Sequence, residues 1–212
     1  MRYVEALTRP FADRIRLNSP VVSVRRCPDH VAVTSKHGTP ESFDAVVLAA
    51  HADQALAMLA DASQAEREIL GAFAYQRNET VLHVDPSLLP RRPRAWASWN
   101  YRIPREEGQP VVLTYNLNRL QGHVSPDPIC ITLNATRWID QHRILRRIEY
   151  HHPIYTREAL AAQRRFHEIN GQNRTYFCGA YWGHGFHEDG VNSALAVGKC
   201  FGKQLESCKA AS

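Results

Sequence analysis

Between Phe177 and Leu195 the chain reads FCGAYWGHGFHEDGVNSAL. Four glycines (Gly179, Gly183, Gly185, Gly190) alternate with Tyr181, Trp182 and Phe186, and with His184, His187, Glu188 and Asp189. A strand ending near Cys178 and a helix starting near Asp189 would leave backbone N–H groups at the helix start without intrahelical partners. The helix dipole adds roughly half a positive charge there. Such a turn suits an anion or an electron-rich ring oxygen. Gly179 and Gly190, lacking side chains, would let a planar ligand approach the backbone. The competing reading is a loop packed by its own aromatics. His184 and His187 are the candidate proton donors. Their spacing with Glu188 and Asp189 fits no ordinary zinc pattern, so no metal is expected.

Other constellations carry less. His151 and His152 precede Pro153 and read as a strand end. No GxSxG nucleophile elbow occurs, which argues against serine hydrolase chemistry. Arg91, Arg92 and Arg94 lie beside Trp96 and Trp99, and Arg143, Arg146 and Arg147 cluster further on. Both clusters read as solvated basic turns rather than a nucleic-acid surface. Cys27, Cys130, Cys178, Cys200 and Cys208 are dispersed and odd in number, the pattern of reduced thiols. The net charge of +5 permits an anionic ligand without requiring one. At 44% hydrophobic and 22% charged residues, the composition is that of a soluble globular protein with a sizeable core. No apolar run approaches a membrane span and the N-terminus has no signal-peptide core, so a cytoplasmic protein without stable membrane insertion is expected.

The elements that must position these residues follow from periodicity and turn signals. Arg2 to Phe11 reads as a helix with Tyr3, Leu7 and Phe11 on one face. Arg14 to Leu17, Val21 to Arg26 and His30 to Ser35 read as strands. Asp44 to Ala50 is an unbroken apolar run, expected as a parallel strand buried on both faces. Ala52 to Leu59 and Ser63 to Gly71 are helical, the second opened by a Ser63–Glu66 capping box. Thr80 to Val84, Ala95 to Arg102, Val111 to Leu117 and Ile129 to Leu133 read as strands. Arg143 to Glu149 suits strand or helix equally. Thr156 caps a helix to Ile169, with Leu160 and Phe166 apolar and Gly171 as its stop. Arg174 to Cys178 is a strand, and Asp189 to Leu205 an amphipathic helix through Val191, Ala194, Leu195 and Val197. The strand-rich middle looks inserted into a sheet domain made from the two ends.

Several segments resemble, in order, the FAD-dependent amine oxidase and phytoene desaturase-like superfamily. They resemble more closely its bacterial "predicted NAD/FAD-binding protein" branch, found beside cyclopropane fatty-acid synthases. YVEAL (Tyr3 to Leu7) and FADRIRLNSPVVSVRR (Phe11 to Arg26) resemble the approach to the adenine-side strand. FDAVVLAAHADQALAML (Phe43 to Leu59) resembles the strand and helix returning to the nucleotide sheet. WASWNYR (Trp96 to Arg102), TYNLNRLQG (Thr114 to Gly122) and ITLN (Ile131 to Asn134) resemble the substrate domain. CGAYWGHGFHEDGVNSAL resembles the flavin-end motif.

The resemblance implies a mixed α/β fold: an FAD-binding three-layer domain, with a parallel sheet, a β-meander and helices, carrying an inserted substrate domain. It divides the chain into 1–60 (FAD-binding segment), 61–170 (substrate domain) and 171–212 (C-terminal strand–turn–helix). It implies Val22 at the adenine, Ala50 near the pyrophosphate end of the sheet, and Gly179 and Ala180 facing the pyrophosphate or ribityl chain. Asp189, Gly190 and Val191 would start the helix aimed at the flavin pyrimidine edge. Trp96, Trp99, Tyr101, Tyr115, Asn116, Tyr181 and Trp182 would line a substrate tunnel or fill the core. The implied activity is oxidation or desaturation of an amine or fatty-acyl substrate by hydride transfer to flavin.

One departure is large. The superfamily opens with a strand–GxGxxG–helix unit, and this sequence contains none. The chain thus resembles the C-terminal part of a flavoprotein: either a separate chain supplies the dinucleotide-binding half, or the gene is truncated, or the sequence is part of a longer one. The rival reading is an inactive truncated remnant or a non-enzymatic interaction domain.

Overall fold

A computed structural model describes residues 2–103 and 112–204. Val111, Leu205 and Cys208, which the sequence reading touches, lie outside the described residues. Contacts divide the chain into two units: residues 1–74 with 154–212, and residues 75–153.

The first unit opens with helix α1 (Arg2–Thr8), which tightens into a 3-10 turn over Arg9–Arg14. Pro10 lacks an N–H and cannot continue the α-helical ladder, so the helix stops short of Phe11. The expected strand at Arg14 to Leu17 does not form. Arg14 closes the 3-10 turn, and the chain then turns through Asn18 at φ 54°. Strands β1 (Val21–Arg26), β2 (Val31–Ser35) and β3 (Glu41–Phe43) make an antiparallel meander in that order. The register of β1 against β2 shifts between Val21 and Ser23, so Val22 occupies a bulge. Strand β4 (Val46–Leu48) is shorter than the apolar run that contains it. It is followed by α2 (Ala52–Met58) and α3 (Gln64–Gly71).

The expected capping box on α3 is present: Ser63 Oγ accepts from Glu66 N–H, and the Glu66 carboxylate accepts from Ser63 N–H. That carboxylate also receives Arg26 Nη1 and Nη2 at 2.8 and 2.9 Å. Arg26 in turn holds Asp61 and its carbonyl. The two side chains are 4% and 2% exposed, so this ion pair is an interior strut between β1 and α3. Burial opposes the charge on Glu66, but its bonds to Arg26 and Ser63 outweigh it and hold the carboxyl below its ordinary range.

The second unit is an antiparallel sheet. Its strands are β5 (Tyr75–His83), β6 (Trp99–Arg102), β7 (Val112–Asn116), β8 (Cys130–Leu133) and β9 (Ile144–Pro153), in spatial order β6-β7-β8-β5-β9. Helix α4 (Leu117–Gln121) follows β7. The ambiguous Arg143 to Glu149 segment is a strand, paired along the length of β5. Strand β6 starts later than the sequence suggests. Asn100 holds the N–H and C=O of Ala97, which keeps that stretch in a turn. Val81, Leu88, Val112, Ala135 and Ile139 form the core, with Ile144 against it. Beside that core runs a buried polar chain: Asp85 N–H donates to His83 Nδ1, His83 Nε2 meets Thr132 Oγ1 at 2.8 Å, and Thr132 meets Thr114.

The chain returns to the first unit through α5 (Arg157–Gln163) and α6 (Phe166–Ile169). The single helix expected over this stretch is broken. Arg165 N–H bonds the Ala162 carbonyl three residues back, which tightens the turn and ends α5. Strand β10 (Thr175–Phe177) begins after Arg174, which sits at φ 60°, and pairs in parallel with β4. Helix α7 (His187–Cys200) completes the described chain. The two ends therefore meet in one short parallel sheet. Leu48 is buried, but Val47 is 44% exposed. The expectation that this strand is buried on both faces is thus corrected: among the described residues only two strands make the sheet, and Val47 and Ala49 stand exposed on one face of the run while Leu48 is buried on the other.

Candidate functional site

The turn from β10 into α7 is held by three side chains, Ser193, Gln163 and Asp189, through six hydrogen bonds. Gly179 leaves the strand in an extended conformation, and its N–H donates to Ser193 Oγ at 2.9 Å. Ser193 donates in turn to the Gly190 carbonyl. Strand end and helix start are thus bridged by one hydroxyl. Gln163 Nε2 donates to the carbonyls of Tyr181 and Gly183, at 2.9 and 2.6 Å. The Asp189 carboxylate accepts from the N–H groups of His184 and Phe186, at 3.0 and 2.9 Å. Phe186, the residue that begins α7, has no polar side chain to cap the helix, so this second bond is the N3 half of a capping box.

The four glycines of the turn differ in their reasons. A Cβ on Gly179 would lie 2.5 Å from the Tyr181 ring, and one on Gly183 would lie 2.3 Å from Asp189 Oδ1. Gly185 has φ 88° and the Tyr155 hydroxyl beside it. Packing and backbone explain these three. Gly190 is different. A Cβ there would meet only Ala180 N and Cβ, at 3.9 and 4.0 Å, which is ordinary contact. The chain's own packing does not call for glycine at this helical position, where glycine is unfavourable relative to alanine. The space beside Ala180 is open enough for a methyl group.

The aromatics divide. Tyr181 and Trp182 stack edge-on with Phe73, and Trp182 meets Phe166 at 4.9 Å. They form an interior aromatic cluster. His184, on the loop, and His187, the first residue of α7, are both exposed. Among the described residues, no group of three or more His, Cys, Asp or Glu side chains could hold a metal ion. The Cys178 thiol is buried, which pushes its pKa up and makes it a poor nucleophile. Tyr155 is also pushed up, by burial and then by the Asp189 charge.

A cavity of about 200 Å3 opens at the start of α7, lined by Gln163, Phe166, Trp182, Asp189, Asn192 and Ser193 among others. Drug-sized ligands occupy roughly 300–1,000 Å3, so this cavity is too small to enclose a flavin ring by itself. A larger one, of about 600 Å3, lies on the meander and is lined by Arg14, Arg16, Val21, Val33, Glu41 and Phe43. Val22 is exposed at its bulge next to Val21. Beyond it, β1 is occupied: the Val24 carbonyl accepts from Ala60 N–H, and Arg26 N–H donates to Asp61. The Ala50 carbonyl lies 3.6 Å from the Cβ position of Gly179, so those two residues stand together where β4 and β10 end.

In the second unit, Trp99 pairs across β6–β7 with Tyr115, ring to ring at 6.4 Å, and Tyr101 pairs with Leu113. Trp99 and Tyr101 are exposed and Tyr115 half-buried on one sheet face. Trp96 stands apart, tied by its Nε1–H to the Pro90 carbonyl. Asn116 points to the opposite, buried face, where its side chain caps α4 by accepting Arg119 N–H. The sequence reading passed over Ser193, Gln163, Phe73 and Tyr155. Ser193 and Val197, four residues apart, are the buried positions of α7, a spacing that would have marked Ser193 as inward-facing.

Residues 2–82, less than half of the chain, match the flavin containing amine oxidoreductase family. No curated protein matches the chain. Among solved structures, putrescine oxidase bound to putrescine superposes with TM-score 0.61 at 10% identity, covering 96% of this chain and 53% of that one. The mixed α/β fold is shared with about half of that oxidase. UDP-galactopyranose mutase in its reduced form gives TM-score 0.63 at 12% identity, covering 98% and 52%. A fatty acid isomerase from P. acnes that produces CLA gives 0.57 at 16% identity, covering 87% and 47%. The chain therefore spans about half the length of the structures that it matches. No helix among the described residues is long and apolar enough to cross a membrane.

Proposed function

We propose that this chain is the substrate-bearing and flavin-end portion of an FAD-dependent oxidoreductase that oxidises an amine or fatty-acyl substrate. Gly190 carries the reading: it is the one glycine of the turn whose missing side chain the chain's own packing does not use. The residues present fit the cofactor. The first N–H groups of α7 and the dipole behind them favour negative charge on a ring edge beside Ala180 and Gly190. Val191 stands on the same helix start. Asp189 keeps its carboxylate on the loop N–H groups, so what α7 offers a ligand at that point is backbone N–H. Gly179 and Ala50 provide backbone at the strand ends, and Val22 backbone at the bulge of β1, for the adenosine half.

Bound there, FAD would supply the two-electron, hydride-accepting chemistry. The chain's own residues position and shield. Ser193 and Gln163 fix the turn, and the Phe73–Tyr181–Trp182–Phe166 cluster keeps water from its back. Trp99, Tyr101 and Tyr115 offer an aromatic face to an apolar substrate. We assign the first unit to the cofactor and the second to the substrate. The fatty-acyl choice rests on the resemblance to the branch found beside cyclopropane fatty-acid synthases; the amine choice rests on the matched family. Flavin reduction by a panel of amines and fatty acids under anaerobic conditions tests the assignment. Bleaching by a member of either class supports it, and a flavin that none of them reduces refutes it.

A further inference from the structure

The two basic clusters, Arg91 with Arg92 and Arg94 and Arg143 with Arg146 and Arg147, are far apart in sequence. One member of each meets the other at a single cavity in the second unit, and Asp85 is what brings them together. Asp85 is 7% exposed. Its Oδ1 accepts Ser87 N–H at 2.9 Å and opens the 3-10 turn Pro86–Leu88, while its Oδ2 accepts Asp140 N–H at 2.8 Å. Asp140 repeats the device: its Oδ1 accepts His142 N–H at 3.0 Å and opens the 3-10 turn Gln141–Arg143. The Arg143 carbonyl accepts Val84 N–H, which fixes that second turn just beyond β5. Arg91 follows the first turn, and Trp96 is held near it by the bond from its Nε1–H to the Pro90 carbonyl. Arg91, Arg143, Trp96, Leu89 and the two aspartates are among the residues that line a cavity of about 530 Å3, and every residue of its lining belongs to the second unit.

The groups left over decide what this cavity takes. Both Asp85 oxygens and Asp140 Oδ1 are engaged by backbone N–H. Asp140 Oδ2 meets Arg143 Nε only at 3.8 Å, too long for a hydrogen bond. Arg91 has no ion-pair or hydrogen-bond partner among the described residues. The cavity therefore presents two guanidinium forks and a half-buried indole. A guanidinium fork matches the oxygens of a phosphate or carboxylate in pairs. An indole face takes a flat ring. A phosphate monoester carries about two negative charges at neutral pH, which two guanidiniums match, whereas a carboxylate calls for one. The volume lies within the range of small-molecule sites. We propose that this cavity binds a nucleoside monophosphate, its phosphate on Arg91 and Arg143 and its base on Trp96. None of these residues belongs to the flavin turn, so the site stands or falls independently of the reading above.

Isothermal titration of the full chain with AMP tests the site, beside adenosine and inorganic phosphate as its two halves. AMP is expected to bind with a Kd of about 1 mM or tighter, and each half alone at least about tenfold more weakly. Arg91→Gln and Arg143→Gln should each weaken AMP binding about tenfold, the loss of one charge-assisted contact. Trp96→Leu should weaken it about tenfold through lost stacking. Arg92→Gln, in the same sequence cluster but outside the cavity lining, should leave it unchanged. Arg91 and Arg143 are exposed, so their variants should melt with the parent chain. If Trp96→Leu does not fold, the two arginine variants decide. No AMP binding at that level, AMP binding that both arginine variants retain, or inorganic phosphate binding as tightly as AMP overturns the inference. Single-stranded RNA whose affinity rises with its length, and falls in the same variants, also overturns it, because the surface would then be a nucleic-acid track.

Discussion

Replacing Gly190 with alanine should make the chain more stable and the flavin site worse. The added Cβ meets nothing closer than Ala180 N at 3.9 Å, so no internal clash offsets the gain in helix propensity. That gain is about 0.5–1 kcal/mol for glycine to alanine in a helix interior. For a chain of this size it corresponds to a rise of about 1–4 °C in Tm. The same methyl group enters the space assigned to the ligand. Intruding a methyl on a fitted contact costs about 1–3 kcal/mol, which is roughly a five- to hundredfold loss of affinity. Differential scanning fluorimetry without flavin and a flavin titration by fluorescence quenching read the two effects separately. Gly183→Ala is the control, because its Cβ would fall 2.3 Å from Asp189 Oδ1 and displace the carboxylate that tethers the loop. It should destabilise the fold. The reasoning is refuted if Gly190→Ala binds flavin as well as the parent chain does, or if it destabilises the chain without flavin.

Three further outcomes are expected. Arg26→Met leaves Glu66 charged and buried, and should cost about 3–5 kcal/mol, whereas Arg26→Met with Glu66→Leu should recover much of that in urea unfolding. His83 is held below its ordinary pKa by burial, with the Asp85 charge opposing, so its neutral form belongs to the folded state. Its contribution is intact above the unfolded value near 6.5 and lost as pH falls below it, by up to about 1.4 kcal/mol per pH unit. The difference in stability between parent and His83→Gln, followed from pH 7 to pH 5, should therefore shrink on acidification. Trp99 is 61% exposed, so Trp99→Ala should leave stability within about 0.5 kcal/mol while raising KM for the substrate. An unchanged KM would remove the aromatic face from the substrate site.

What the sequence made legible followed local rules. Ser63 and Glu66 announced the start of α3, the alternation of Val31 and Val33 with polar neighbours announced β2, and the order of glycines and aromatics announced the turn before α7. What it concealed was set by side-chain bonds and backbone angles that apolar periodicity does not record. Asn100 delays β6 by bonding Ala97, Arg174 at positive φ shortens β10, and Pro10 ends α1. The run from Asp44 to Ala50 looked buried on both faces because its residues are uniformly apolar. Composition cannot say that Val47 stands exposed. The site showed the same division. Its glycines were visible, but separating Gly190 from Gly179, Gly183 and Gly185 required knowing where Tyr181, Asp189 and Tyr155 lie. Ser193 and Gln163 hold the turn through single side chains from α7 and α5, and no short motif marks them.

The central claim is that the turn from Gly179 to Gly190 meets a flavin. The most direct measurement is a visible absorption spectrum of the chain purified from its native host with its co-purifying polypeptides, before and after saturation with FAD and gel filtration. A flavin band that stays with the protein, and weakens in Gly190→Ala, is the predicted result. A colourless protein that acquires no flavin on saturation would contradict the account.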